Sequence, residues 1–226
     1  MKNEFQPEKL KITKDLKGMS LKSIQEHFKL YEGYVKKTNE IQKKLETAEK
    51  SEANGVYSAY GELRRQETFA VNGMKLHEVY FGHLGEIAPP QVLNKEGGVP
   101  PEAVTAASQT PPRNDGLIKK MIEKEFGSVE AWKEGMVATG LSARGWAILA
   151  FDFKDNRLHI YGSDAQNVGA VWGAIPLVAL DVYEHAYFMD HGTNRKAYLE
   201  GFFKNLNWET ANVIIKEHGL DKKHNK

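Results

Sequence analysis

The chain has 226 residues, 41% of them apolar and 27% charged, with a net charge of +1. That composition is ordinary for a soluble globular protein of one domain or two small ones, and it leaves no electrostatic footprint for nucleic acid or a membrane surface. With no cysteine, disulfides, thiolate metal sites, iron–sulfur clusters and cysteine nucleophiles are excluded, so any metal must rest on His, Asp, Glu or water.

Met1 to Pro7 lack the apolar core of a secretory signal, and no run of about 18 apolar residues is present to span a membrane. A cytoplasmic protein is expected. From residue 20 to about 47, Leu21, Ile24, Phe28, Tyr31, Tyr34, Val35, Ile41 and Leu45 recur by threes and fours, which predicts a helix capped by Ser20. The pattern breaks at Ser51 to Gly55 and resumes from about Val56 to Leu84. Two long helices across a short turn form an antiparallel hairpin. The stretch around residues 85–116 is dense in proline and glycine, which blocks helix and central strand.

Residues 116–140 read as two short helices split at Gly127-Ser128, with Ser128 as cap. Trp146 to Phe151 reads as a strand, Lys154 to Arg157 as a turn and Leu158 to Tyr161 as the returning strand. Ile175 to Val182 is a third strand, apolar enough to be buried on both faces. Helices are expected from about Glu184 and from about Trp208. The predicted fold is α+β, a long N-terminal antiparallel helical hairpin followed by a C-terminal α/β domain with a small three-stranded antiparallel sheet. The expected boundaries are 1–88 for the hairpin domain, 89–115 for the Pro-rich linker and 116–226 for the α/β domain.

Asp181-Val182-Tyr183-Glu184-His185-Ala186-Tyr187 is the most informative string. Its carboxylate and imidazole, four residues apart where a strand ends, can both reach one metal ion, and such a set suits iron, manganese or zinc. Of the eight histidines, His159, His191, His218 and His224 are expected at the surface. His27 and His77 lie inside the two long helices among aromatic neighbours, and facing helices can each present one imidazole to a shared ion. Alone, each reads better as a core histidine bonded to a carbonyl. With Asp181 and His185 they make a set of three imidazoles and one carboxylate. A zinc hydrolase would satisfy the same set if Glu184 served as its base.

The string resembles the D-x-W-E-H-A-Y signature of the iron/manganese superoxide dismutases. Leu76 to Phe81 resembles that family's N-H-x-F-Y-W, Gly127-Ser128 its G-S, Arg144 to Leu149 its S-G-W-x-W-L, and Asn205 to Glu209 its V-I-N-W-E. The similarity runs in order from about Ser20 to Glu209. It implies dismutation of superoxide to oxygen and hydrogen peroxide, with one manganese or iron ion per chain held by His27, His77, Asp181 and His185. It also implies a second set of site residues around the metal. Ser163 to Asn167 resembles T-A-N-Q-D, which makes Gln166 the glutamine that holds coordinated solvent. The other family arrangement takes that glutamine from the second helix, where this chain has Gly73, so manganese is favoured. Tyr34 matches the gateway tyrosine. Glu184 is expected to reach His185 of a partner subunit, which implies a homodimer and leaves a tetramer open.

Three departures mark this chain. Tyr31 stands where the family has a second histidine, Tyr183 replaces the tryptophan of the signature, and Phe188 replaces a tyrosine. The spacing of His27, Tyr31 and Tyr34 is four and three, which suits a regular helix without a wider π-type turn. A Tyr31–Phe188 contact across the dimer is the expected substitute. These changes open a second reading, a metal-binding relative with weak or no dismutase activity.

Overall fold

The computed structural model describes residues 4–85 and 116–224. The expected Pro-rich segment 89–115 lies outside the described residues. Helix α1 (Leu21–Thr47) begins where the Ser20 hydroxyl accepts from the Ser23 N–H. Ile24, His27, Phe28, Tyr31, Val35, Thr38, Ile41 and Leu45 form its buried face, and it is α-helical throughout, with no wider turn between 27 and 35. Helix α2 (Ala59–Gly82) starts at Ser58, whose hydroxyl accepts from Gly61, three residues later than the sequence pattern suggests. Val56 and Tyr57, assigned to that helix by pattern, are exposed in the turn before it.

Helices α3 (Gly116–Phe126) and α4 (Val129–Ser142) divide at Gly127 and Ser128 as expected, with Ser128 accepting from Ala131. Strands β1 (Trp146–Asp152), β2 (Arg157–Ser163) and β3 (Ala174–Asp181) form an antiparallel sheet ordered β2-β1-β3. β1 lies at the centre and is almost wholly buried, because hydrogen-bonded strands flank both its edges. β3 is an edge strand, so Pro176 can sit in it without losing a needed ladder bond. Leu149 pairs with Val178 and Ala150 with Pro176, so Leu177 bulges out of register. Its freed carbonyl meets Nε2 of the fully buried His83 at 2.7 Å, while His83 Nδ1 lies 3.0 Å from the Asn207 carbonyl. One side chain thereby ties the end of α2 to the sheet and to the turn before the last long helix.

The expected helix from Glu184 needs correction. A single 3-10 turn (Glu184–Ala186) leads into the short α5 (Phe188–His191), which Gly192 ends at φ +54°. Helix α6 (Arg195–Asn205) restarts at the Asn194 cap, followed by α7 (Glu209–His218) and α8 (Leu220–His224). The turn forms because the Asp181 carboxylate accepts from the Tyr183 N–H at 2.9 Å, which bends the chain as the strand ends. His224 also departs from expectation. It is buried, with Nε2 3.3 Å from Glu125, because α8 packs back on α3.

The N-terminal arm, residues 4–19, folds back along α1. Phe5 exchanges two hydrogen bonds with Asn39, the Glu8 N–H donates to the Tyr31 hydroxyl, and Lys17 exchanges two with Asn205 on α6. Leu10 closes over Phe28 and Tyr31. Among the described residues, no helix is long and apolar enough to cross a membrane.

Candidate metal centre

The site forms where the N-terminal part of α1 and the C-terminal part of α2 meet the C-terminal end of β3. His27 on α1 and His77 on α2 point inward because each occupies the buried stripe of its helix. Asp181 is the last residue of β3, and His185 lies in the turn beyond it. Their four donor atoms lie within 4.8 Å of one another. Asp181 Oδ2 is 3.2 Å from Nε2 of His27, 3.2 Å from Nε2 of His185 and 3.4 Å from Nε2 of His77. The sequence spacing between His27 and Asp181 is 154 residues, yet the fold brings them into contact.

The donor chemistry fits a cation. His77 Nδ1 donates to the Gly73 carbonyl at 2.6 Å, so Nε2 carries a bare lone pair. That nitrogen is buried and has no hydrogen-bond partner. Its 3.4 Å approach to Asp181 Oδ2 sets one acceptor against another and satisfies neither. A buried lone pair facing a carboxylate is costly unless something positive lies between them. Asp181 Oδ1 is already engaged by the Tyr183 N–H, which leaves Oδ2 as the oxygen available to a cation.

Electrostatics agree. Burial pushes the His27 imidazole below its ordinary value and the His77 imidazole down to about 3, the latter helped by the charge of His27. Both are therefore neutral near pH 7, as metal binding requires. Burial would raise the Asp181 carboxyl, but hydrogen bonds from His185 and His27 hold it well below the usual carboxylate range.

Aromatic rings wall the quartet. His27 lies 4.9 Å from Tyr80 and 5.0 Å from Phe81, and His77 lies 5.1 Å from Trp146. The fully buried Tyr198 donates to the Asp181 carbonyl at 2.7 Å, which fixes the strand end behind the carboxylate.

Gln166 is 1% exposed although it belongs to a loop. Its Oε1 accepts from the Trp146 indole at 2.9 Å and its Nε2 donates to the Tyr34 hydroxyl at 3.1 Å. Tyr34 packs 5.2 Å from His77, and burial pushes its phenol upward. On its other side Tyr34 lines a groove of about 800 Å³ between α1 and α2. A Cβ at Gly73 would lie 2.7 Å from the Tyr34 ring, so a side chain there would displace the tyrosine. Tyr183 stacks on His185, and Glu184 is exposed beside it.

Tyr31 does not join this group. It is 1% exposed, and its hydroxyl donates to Glu78 while accepting from the Glu8 N–H. Leu10 of the arm packs against the cluster of Phe28 and Tyr31, so within its own chain Tyr31 is held by the arm and by Glu78. Phe188 itself is 52% exposed. The sequence reading missed Glu78 and the arm. Glu78 directly follows His77, and a carboxylate at a half-buried helix position was the one available signal.

Residues 114–213 match the family model described as iron/manganese superoxide dismutases, C-terminal domain. A protein of Aquifex aeolicus (strain VF5) named "Superoxide dismutase [Fe]" is 40% identical over 214 residues, which is 93% of this chain and 90% of the relative. One of the same name from Aquifex pyrophilus is 41% identical over 203 residues, or 88% and 84% of the two chains. "Superoxide dismutase [Mn] 2" of Haloferax volcanii is 34% identical over 179 residues, or 79% and 77%.

Proposed function

Because this chain belongs to the iron/manganese superoxide dismutase family, we propose that its quartet converts superoxide to oxygen and hydrogen peroxide, with each residue's part set by its place in the site. The observation that carries the reading is the orphaned lone pair of His77 beside Asp181, inside a set of three imidazoles and one carboxylate. His27, His77 and His185 would hold the metal through Nε2, and Asp181 through Oδ2. A metal held there would supply the one-electron redox chemistry that dismutation needs.

The chain's own task is to supply protons to the second superoxide and keep out bulk water. Gln166 Nε2 donates one N–H to the Tyr34 hydroxyl, and its second N–H would be available to solvent at the metal. Tyr34 stands between that amide and the groove outside, so it is the proton link to solvent. Trp146 fixes the amide's orientation through Oε1. Tyr80, Phe81 and Trp146 exclude water from the imidazoles, which strengthens every charge interaction within.

The glutamine position favours manganese. It comes from the loop at 166, and Gly73 leaves no room for it on α2 without moving Tyr34. Iron is the second reading, and the names of the two Aquifex relatives favour it.

The functional unit is a homodimer in which Glu184 accepts a hydrogen bond from His185 of the second chain. The supporting observations are the exposed Glu184, the partly open His185 and the neighbouring exposed Phe188 and Met189. A pairing of dimers into a tetramer remains compatible with this surface. In Glu184→Ala, the mass by light scattering is expected to drop toward that of one chain, and metal affinity to fall about 10- to 100-fold. An unchanged dimer with full metal would remove Glu184 from the interface.

Metal content and dismutation rate on one purified sample test the function. The expected result is close to one manganese or iron per chain with rapid dismutation. Full occupancy with slow turnover would instead support a metal-binding relative with weak activity.

A further inference from the structure

Two of the four quartet residues sit on segments that meet a second time, away from the quartet itself. His27 lies about two turns into α1, which Ser20 caps, and His185 precedes the short α5, which ends in Asp190 and His191. The Ser20 N–H donates to Asp190 Oδ2 at 2.8 Å, and the Ser20 hydroxyl donates to Asp190 Oδ1 at 2.6 Å. Beside them His191 Nε2 donates to the Gly18 carbonyl at 2.6 Å.

These contacts suit their places. The Ser20 oxygen accepts from the Ser23 N–H, so its one proton is left for Asp190. A helix N-terminus favours negative charge, and the first turn of α1 has no acidic residue of its own. Asp190 brings that charge from a distant segment, together with Asp15 on the Leu21 N–H. The turn that carries Gly18 is itself fixed. Leu16 and Met19 exchange two backbone hydrogen bonds, and Lys17 exchanges two with Asn205. His191 therefore grips a braced support.

The contacts close a ring through the quartet. From Ser20 the chain runs along α1 to His27, and from Asp190 it runs back to His185. The two imidazoles then face each other with centroids 4.8 Å apart. A single 3-10 turn carries His185 and has few internal bonds to hold it. It is fastened at Asp181 on one side and, through α5, at Ser20 on the other.

We infer that Ser20 and Asp190, supported by Gly18 and His191, are positioning residues that fix the separation of the His27 and His185 segments. They act through the backbone and not as ligands. The inference rests on the quartet holding the metal.

The test follows metal release to a chelator at pH 7 from the loaded full-length protein, with the visible absorption of the bound manganese or iron. Light scattering and thermal unfolding of the metal-free forms accompany it. Asp190 is exposed, so replacing it leaves the core undisturbed. Asp190→Ala is expected to release metal about ten-fold faster than the parent and to shift the absorption band, with mass unchanged. Ser20→Ala keeps the main-chain bond and should fall between the two, while Ser20→Thr keeps the hydroxyl and should match the parent. Ser128→Ala removes a cap of the same kind from α4, a helix that carries no quartet residue. It should lower the unfolding temperature as Ser20→Ala does, yet leave release and absorption at parental values. Parental release and absorption in both Asp190→Ala and Ser20→Ala would overturn the proposal. So would release that speeds up equally in Ser128→Ala, or only in step with a loss of mass. A parent that holds metal but does not dismutate superoxide would overturn the functional reading instead, and the release comparison would still report on Ser20 and Asp190. A parent that takes up no metal would overturn both.

Discussion

Asp181→Ala is expected to leave a folded protein with less than about a tenth of the parent's metal and at least about 100-fold less dismutation. The carboxylate is fully buried, and one of its oxygens faces all three imidazoles at 3.2 to 3.4 Å. Without it the site offers three neutral nitrogens and no charge to balance a cation. The same change orphans the Tyr183 N–H at the strand end, at a cost of about 1–3 kcal/mol. Asp181→Asn separates the two effects, because an amide oxygen can still accept from Tyr183 while the charge is gone. It should lose metal as Asp181→Ala does but keep more of the metal-free stability. Metal analysis, dismutation rate and thermal unfolding on all three proteins check this. Near-parental metal in either variant would mean that Asp181 is not a ligand.

Acid should strip the metal and destabilise the protein in the same range. Burial holds the imidazoles of His27, His77 and His83 below their ordinary 6.5, with His77 at about 3. Below pH 6.5 the unfolded chain takes up protons that the folded chain refuses. Stability is therefore fully present above 6.5 and is lost as the pH falls from 6.5 toward 3. Each refused proton contributes a slope of about 1.4 kcal/mol per pH unit. Asp181 has the usual carboxylate sign, so its contribution is present above 3.8 and lost only at still lower pH. Protons compete with the metal for the same nitrogens of His27, His77 and His185, so metal leaves across this window and removes its own stabilisation. Dialysis at pH 7, 5 and 4, followed by metal analysis and urea unfolding, measures both effects. Metal retention and unfolding midpoint that do not change down to pH 4 would contradict the buried, ligating assignment of these histidines.

Much of this molecule was legible in its sequence because much of it is locally encoded. The three-and-four spacing from Leu21 to Leu45 fixes which face of α1 is buried, and Ser20, Ser58 and Ser128 each start a helix through their own hydroxyl. The turn before β2 and the apolar run of β1 define the sheet in the same way. The ligand set was legible because few residue types hold a cation in a chain without cysteine. Gln166 was different. Its own composition points to an exposed loop residue, and only the resemblance singled it out before its burial was seen.

What the sequence left open arises from contacts between distant segments. The arm of residues 4–19 has no periodicity to betray its path, yet Glu8 reaches Tyr31 and so converts a predicted pocket residue into an anchor for the arm. His83 gave no sign that a bulge at Leu177 would present it with a carbonyl, nor His224 that α8 would fold back on Glu125. The sequence by itself determined the hairpin helices to within a few residues, the three strands and the kinds of atom available to a metal, because those follow from sterics and side-chain chemistry within a few residues. Only the tertiary structure decided that His77 turns Nδ1 to Gly73 and leaves Nε2 bare beside Asp181, that Tyr34 occupies the space over Gly73, and that Tyr183 stacks on His185. Each of those outcomes depends on which surfaces meet when residues up to 154 positions apart are packed together, and no local pattern carries that information.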